Sequence, residues 1–133
     1  MTQEDKMLLV KDLSSRLPYA VHVQHISGLS GILHDISICH KYDESDNIYD
    51  VICYTDFLGD EDSITIEHFK PYLFPLSSMT DEQEKEYNNL NCYELGCFPH
   101  TEEALDYLTK NHFDYRHLIE KGLAIDATGL NIY

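Results

Sequence analysis

Between Tyr19 and Glu67 the chain repeats one pattern: short runs that alternate apolar and polar residues, cut by tight polar turns. Tyr19, Val21 and Val23 alternate with Ala20, His22 and Gln24, the period of a half-buried strand. Ser27 to Gly31 (SGLSG) reads as a turn. Ile32 to His40 is the clearest strand, with Ile32, Ile36 and Ile38 on one face and Leu33, Asp35, Ser37 and Cys39 on the other. Lys41 to Asn47 (KYDESDN) reads as a polar connection. Ile48 to Thr55 is apolar on both faces and is therefore placed centrally. Phe57 to Asp62 is another turn, and Ser63 to Glu67 a short strand with Ile64 and Ile66 inward. Short strands joined this way pair as an antiparallel meander. A closed small barrel and a curved open sheet fit the pattern equally well.

Helical periods flank the meander. In residues 3–17, Leu9, Val10, Leu13 and Leu17 share one face, leaving Glu4, Asp5, Lys11 and Asp12 to water. Thr2 is positioned as the N-cap, and Pro18 ends the helix by pushing Leu17 towards extended geometry. Lys70 to Leu76 (KPYLFPL) holds two prolines, which predicts an extended crossover leaving the sheet. Thr80 with Gln83 forms a capping-box pattern for a thinly apolar helix to about Leu90. Asn91 to His100 is irregular. Thr101 caps a helix to about Lys110, with Ala104, Leu105 and Leu108 inward. Asn111 to Ala124 (NHFDYRHLIEKGLA) predicts a last short helix, capped by Asp114 and stopped by Gly122, that buries Leu118, Ile119 and Leu123. The tail after Asp126 is either an added strand or loose. The expected fold class is α+β: an N-terminal helix, a small curved antiparallel sheet of about four strands, barrel-like if it closes, and C-terminal helices packed on it. Length fits a single domain over residues 1–133, with helix and sheet in 1–76 and a mainly helical part in 77–133.

Charge narrows the function classes. Nine Lys and Arg stand against 24 Asp and Glu, a net −15 at pH 7. That balance opposes direct nucleic-acid binding, which depends on Lys and Arg displacing counterions, and opposes docking on anionic membranes. No apolar run approaches the ~20 residues of a membrane span. The start, MTQEDKMLLVKD, lacks the basic and apolar segments of a signal peptide, so a reducing cytoplasm with free thiols is expected. Cys39 and Cys53, in strand-like runs, read as small buried hydrophobes.

Candidate chemistry is sparse. Cys92, Cys97 and His100 are the best metal candidates, on a loop able to curl round zinc. A structural site wants four ligands, and the fourth would have to come from elsewhere in the chain, with His112 and His117 as candidates. Two cysteines near a turn are the simpler reading, and no metal or cofactor is assigned. His22 and His25 point to opposite faces of a strand. His34 and His40 are sheet-face or edge residues, and His68 is structural. His112, Asp114, Tyr115 and His117 include an acid, a base and an orienting carboxylate. Their structural reading is capping by Asp114, packing by Tyr115 and ion pairing by Arg116, so no catalytic residue is assigned. No phosphate loop, nucleophile elbow or HExxH helix occurs.

Three segments, Leu9–Gln24 (LVKDLSSRLPYAVHVQ), Lys70–Thr80 (KPYLFPLSSMT) and Leu105–Asp126 (LDYLTKNHFDYRHLIEKGLAID), resemble a family of short uncharacterised proteins of gut Bacteroidales and their mobile elements or phages. The resemblance weakens between His25 and Asp62. It implies a small bacterial or phage accessory protein in the cytoplasm and carries no site residues. The leading expectation is therefore a non-enzymatic protein–protein interaction or accessory protein with an unidentified protein partner, its oligomeric state open. The alternatives are an acidic nucleic-acid mimic that meets a DNA-binding protein, and a hydrolase or metal-dependent enzyme using the His112–His117 region.

Overall fold

The structure, a computed structural model, describes residues 2–43, 46–55, 64–90 and 102–133. Helix α1 (Gln3–Arg16) begins with a complete capping box: Thr2 Oγ1 accepts from Asp5 N–H, and Asp5 accepts in return from Thr2 N–H. Leu9, Val10 and Leu13 are buried as the period requires. The helix does not end by Leu17 turning extended. Leu17 keeps helical angles (φ −50, ψ −43) and Pro18 sits in a 3-10 turn, Leu17–Tyr19. The chain departs at Ala20, in the left-handed region.

Seven strands form one mixed sheet among the described residues: β1 (His22–His25), β2 (Ser30–Asp43), β3 (Asp46–Thr55), β4 (Ile64–Thr65), β5 (Phe69–Pro75), β6 (Phe113–Asp114) and β7 (Ile125–Asp126). The spatial order is β4-β3-β2-β1-β5-β6, with β7 also on β5. The path ends at β4 and β6 without joining, so the sheet is open rather than a barrel, and it is larger than the four strands expected. β3 is next to the end of the sheet, not central. The polar connection expected at Lys41–Asn47 is mostly strand, because β2 and β3 stay in register out to Asp43↔Asp46. β1 covers only Ser30–Ile32 of β2, and β4 covers only Ile52 and Cys53 of β3. The rest of β2–β3 is a two-stranded ribbon among the described residues.

The Lys70–Leu76 segment is a strand and not a crossover. β5 changes partners at its first proline. Phe69, Lys70 and Pro71 pair antiparallel with β1. From Tyr72 onward the pairing is parallel, Tyr72↔Ile125 and Leu73↔Asp126 with β7, then Phe74↔Phe113 and Pro75↔Asp114 with β6. Proline removes only the N–H it lacks. Pro71 lies where one ladder ends and the next has not begun, and Pro75 closes the strand.

Helices α2 (Asp81–Leu90) and α3 (Glu102–Lys110) follow. Thr80 and Gln83 cap α2 reciprocally, and none of its residues is buried. The residue expected to cap α3, Thr101, lies outside the described residues. Ala104 and Leu108 of α3 are buried. Asn111–Ala124 is not a helix: it opens on a turn, forms β6, passes through further turns and stops just before β7. The part expected to be mainly helical thus contributes two strands to the sheet. Leu118, Leu123 and Ala124 join Leu9, Leu13, Val21, Val23, Phe69 and Leu73 in the core.

The largest departure from expectation is Asp12. It is fully buried, not solvated. Arg16, also fully buried, donates to it through Nε (2.8 Å) and Nη2 (3.1 Å), and Arg116 donates through Nη1 (2.8 Å). Arg16 Nη2 also bonds Phe113 O at 2.7 Å. Removing one partner of a buried ion pair strands the other charge, so Asp12→Ala should cost about 3–5 kcal/mol in urea unfolding. Arg116→Ala, partly exposed, should cost about 1–2 kcal/mol alone. In the Asp12→Ala background it should cost much less, since only its packing on Tyr115 is then lost and the two guanidiniums repel. Simple additivity in this double-mutant cycle would contradict the network.

Candidate functional site

The sequence-level candidates in the Asn111–Ala124 stretch take separate posts. Asp114 is buried, and its carboxylate caps a turn rather than a helix: Oδ1 accepts from Leu118 N–H and Oδ2 from Ile119 N–H, both at 2.9 Å. Tyr115 lies beneath Arg116, whose guanidinium carbon is 4.6 Å from the ring centroid, and its hydroxyl is 3.4 Å from Thr109 Oγ1. Arg116 is committed to Asp12. His117 is exposed and 3.7 Å from Glu120, a surface pair of little energetic weight. Asp114, His117 and Glu120 border a hollow of about 200 Å³, but both Asp114 oxygens are already engaged. An acid, a base and an orienting carboxylate are not assembled.

His112 stands apart. It follows the last turn of α3, where its N–H bonds Thr109 O and its φ is +62. This left-handed helix stop is the position glycine usually fills. A histidine there accepts backbone strain. Its ring stacks on Tyr133, with centroids 3.6 Å apart and planes at 12°. Tyr133, in the tail whose order the sequence left open, is fixed by its hydroxyl, which donates to Tyr72 O (2.8 Å) and accepts from His22 N–H (2.9 Å). Burial pushes that phenol up to about 12. His112 is 9% exposed, and its Nδ1 has no hydrogen-bond partner among the described residues. Burial, reinforced by the charges of Arg16 and His22, pulls its pKa down from 6.5 to about 4. Beside this stack opens a cavity of about 450 Å³, bordered by Phe74, Gln83, Lys110 and Asn111.

A second surface lies at the β1–β2 turn. His25 N–H bonds Leu29 O (2.8 Å), Gly28 N–H bonds His25 O (2.9 Å) and Ile26 N–H bonds His68 O (3.0 Å). Gly28, at φ +94, makes the reversal. His25 Nδ1 accepts from Ser27 N–H at 3.2 Å. This braced tip holds Ile26 73% and Leu29 54% exposed. A hollow of about 290 Å³ beside it is bordered by His25, His68 and Lys70. Neither Ile26 nor Leu29 could be singled out from sequence, because both fall where the alternation stops.

Among the other candidates, His22 packs edge-on to Tyr133, while His25 meets His68 and Phe69. His34 is exposed. Cys53 is buried, and burial pushes its thiol up to about 12, away from reactivity. Cys92, Cys97 and His100 lie outside the described residues, as does the side chain of Cys39 and that of His40. Among the described residues no group of three His, Cys, Asp or Glu side chains is placed to hold a metal. No described helix is long and apolar enough to cross a membrane. Comparison with family models, curated proteins and solved structures returns no match to this chain.

Two measurements test these assignments. Asp114→Ala should lower stability by about 2–3 kcal/mol, because two backbone N–H groups lose a charged acceptor. Asp114→Asn, with one acceptor oxygen, should recover part of that loss. For His112 the folded pKa lies below the unfolded one, so the unfolded chain binds the proton more readily. Its contribution is complete above about pH 6.5 and is lost as pH falls towards about 4. Urea midpoints should decline over that window in the wild type. His112→Phe, which keeps a flat ring, should flatten that part of the profile. An unchanged slope would show that His112 does not carry it.

Proposed function

We propose that the protein is a non-enzymatic protein-interaction module, an accessory protein of the mobile-element or phage kind implied by the resemblance of its Leu9–Gln24, Lys70–Thr80 and Leu105–Asp126 segments. The observation that carries this reading is the β1–β2 tip. Two aliphatic side chains are held out in water by a hydrogen-bonded turn on a sheet. Scattered exposed apolar residues are ordinary, but two on one braced projection form a preorganised knob that loses little freedom when a partner covers it. The β2–β3 ribbon, which beyond β1 and β4 has no further strand partner among the described residues, adds backbone edges of the kind that accept a partner strand.

The test is capture from a native host lysate with Ile26→Ser/Leu29→Ser beside the wild type. Because both side chains are exposed, the double variant should match the wild-type urea midpoint to within about 0.5 kcal/mol. It should lose the specific partner by at least about tenfold, the weight of a small hot spot. Equal capture by both proteins would exclude the tip as the docking point.

A second reading, an acidic decoy for a DNA-binding protein, draws on the helices. Asp81, Glu82, Glu84 and Glu86 of α2 and Glu102, Glu103 and Asp106 of α3 are all exposed, and Tyr107 bonds Glu86 across the two helices at 2.9 Å. This reading expects basic partners that high salt releases and that the tip variant retains.

A further inference from the structure

We propose that the cavity at the end of α3 binds a small anion that carries a planar ring, at a site sharing no residue with the β1–β2 tip. The first support is its charge. Acids outnumber bases 24 to 9 in this chain. Yet among the described residues no Asp or Glu side chain borders the cavity, whereas Lys110 does. A carboxylate-free hollow with an ammonium at its rim favours the opposite sign from the surrounding surface. The second is hydrogen bonding. Gln83 accepts Thr80 N–H through Oε1, so its amide NH2 is the group it has left to offer. Thr128 adds a hydroxyl. These are donors of the kind that receive carboxylate or phosphate oxygens.

The third support is the wall. Phe74 and Tyr133, with centroids 5.9 Å apart, give an aromatic side against which a flat ring can lie. The fourth is His112, which borders the cavity and keeps a left-handed backbone that glycine would adopt without strain. The side chain that justifies this strain is the one stacked on Tyr133, which fixes the aromatic wall in place. The volume, about 450 Å³, suits a mononucleotide or an aromatic acid.

The experiment is amide-resolved NMR of the intact chain, titrated separately with adenosine 5′-monophosphate, indole-3-acetate and adenosine. The expected result is that one or both anions shift the Lys110, Asn111, Thr128 and Gly129 amides in a saturable way. If both bind, the charge is recognised generally; if one does, it identifies phosphate or carboxylate as the preferred group. Adenosine, uncharged, should bind at least about tenfold more weakly than its monophosphate if phosphate is recognised, as expected for one lost charge-assisted contact. Lys110→Met should weaken the anions by about tenfold and Lys110→Arg should retain most of the affinity. Lys110 is exposed, so an unchanged urea midpoint separates lost binding from lost folding. The proposal is overturned if neither anion moves those amides, if the shifts fall elsewhere, or if Lys110→Met binds as the wild type does.

Discussion

A single buried carboxylate joins the two ends of this chain. Asp12 is on α1, Arg16 lies one helical turn later, and Arg116 arrives from 104 residues away in sequence. Burying two charges and partly covering a third is costly, and such a network is weak evidence for net stability. Its geometry does, however, specify a register. Arg16 can satisfy Asp12 and Phe113 O together only if β6 lies at one position against α1. Phe113 then pairs with Phe74, and His112 O accepts Phe74 N–H at 2.8 Å. The end of α3, the His112–Tyr133 stack and the cavity beside them are all placed through that chain of contacts.

The second determinant is β5, which serves two halves of the molecule with different pairing. The meander reaches it as an antiparallel neighbour, through Val23, Gln24 and His25 of β1. The C-terminal strands reach it after helices and long turns, and so arrive parallel. Pro71 marks the exchange. A residue without an N–H is harmless where the ladders hand over, and that position explains how a proline-bearing segment lies inside a sheet.

Much of this was legible in residues. Thr2 with Asp5, and Thr80 with Gln83, name two helix starts, and the Val21–Val23 alternation names β1. The stripe on α1 was only half legible. Leu9, Asp12, Leu13 and Arg16 occupy one face at three- and four-residue spacing, so the charged pair sits within the apolar stripe. Hydropathy alone sends Asp12 to water; the Arg four residues on was the available signal. β6 and β7, two residues each, are too short to show any period. Asn111–Ala124 misled for a related reason. Asp114 does cap and Leu118 and Leu123 are buried, but with Asp114 in β6 and Arg116 drawn to Asp12 the segment cannot wind continuously. His112 was visible as a chemical group. Its stacking was not, since nothing in the sequence brings Tyr133 back to it.

Two histidines in that segment, His112 and His117, adopt nearly the same left-handed backbone, at φ +62 and +60. The causes differ. At His117 the side chain is exposed and only loosely near Glu120, so the strain belongs to the backbone. The reversal there separates Arg116, which goes to Asp12, from Leu118, which goes to the core. A residue with no Cβ would serve that reversal as well. At His112 the backbone needs only a helix stop, which glycine supplies freely. The imidazole is what is buried, stacked and held neutral. A conformation unfavourable for a side chain, kept at a position where only the side chain makes the distinguishing contacts, points to the ring as the reason for the strain. The stack it makes with Tyr133 is therefore a built feature of the fold, and it forms one side of the cavity.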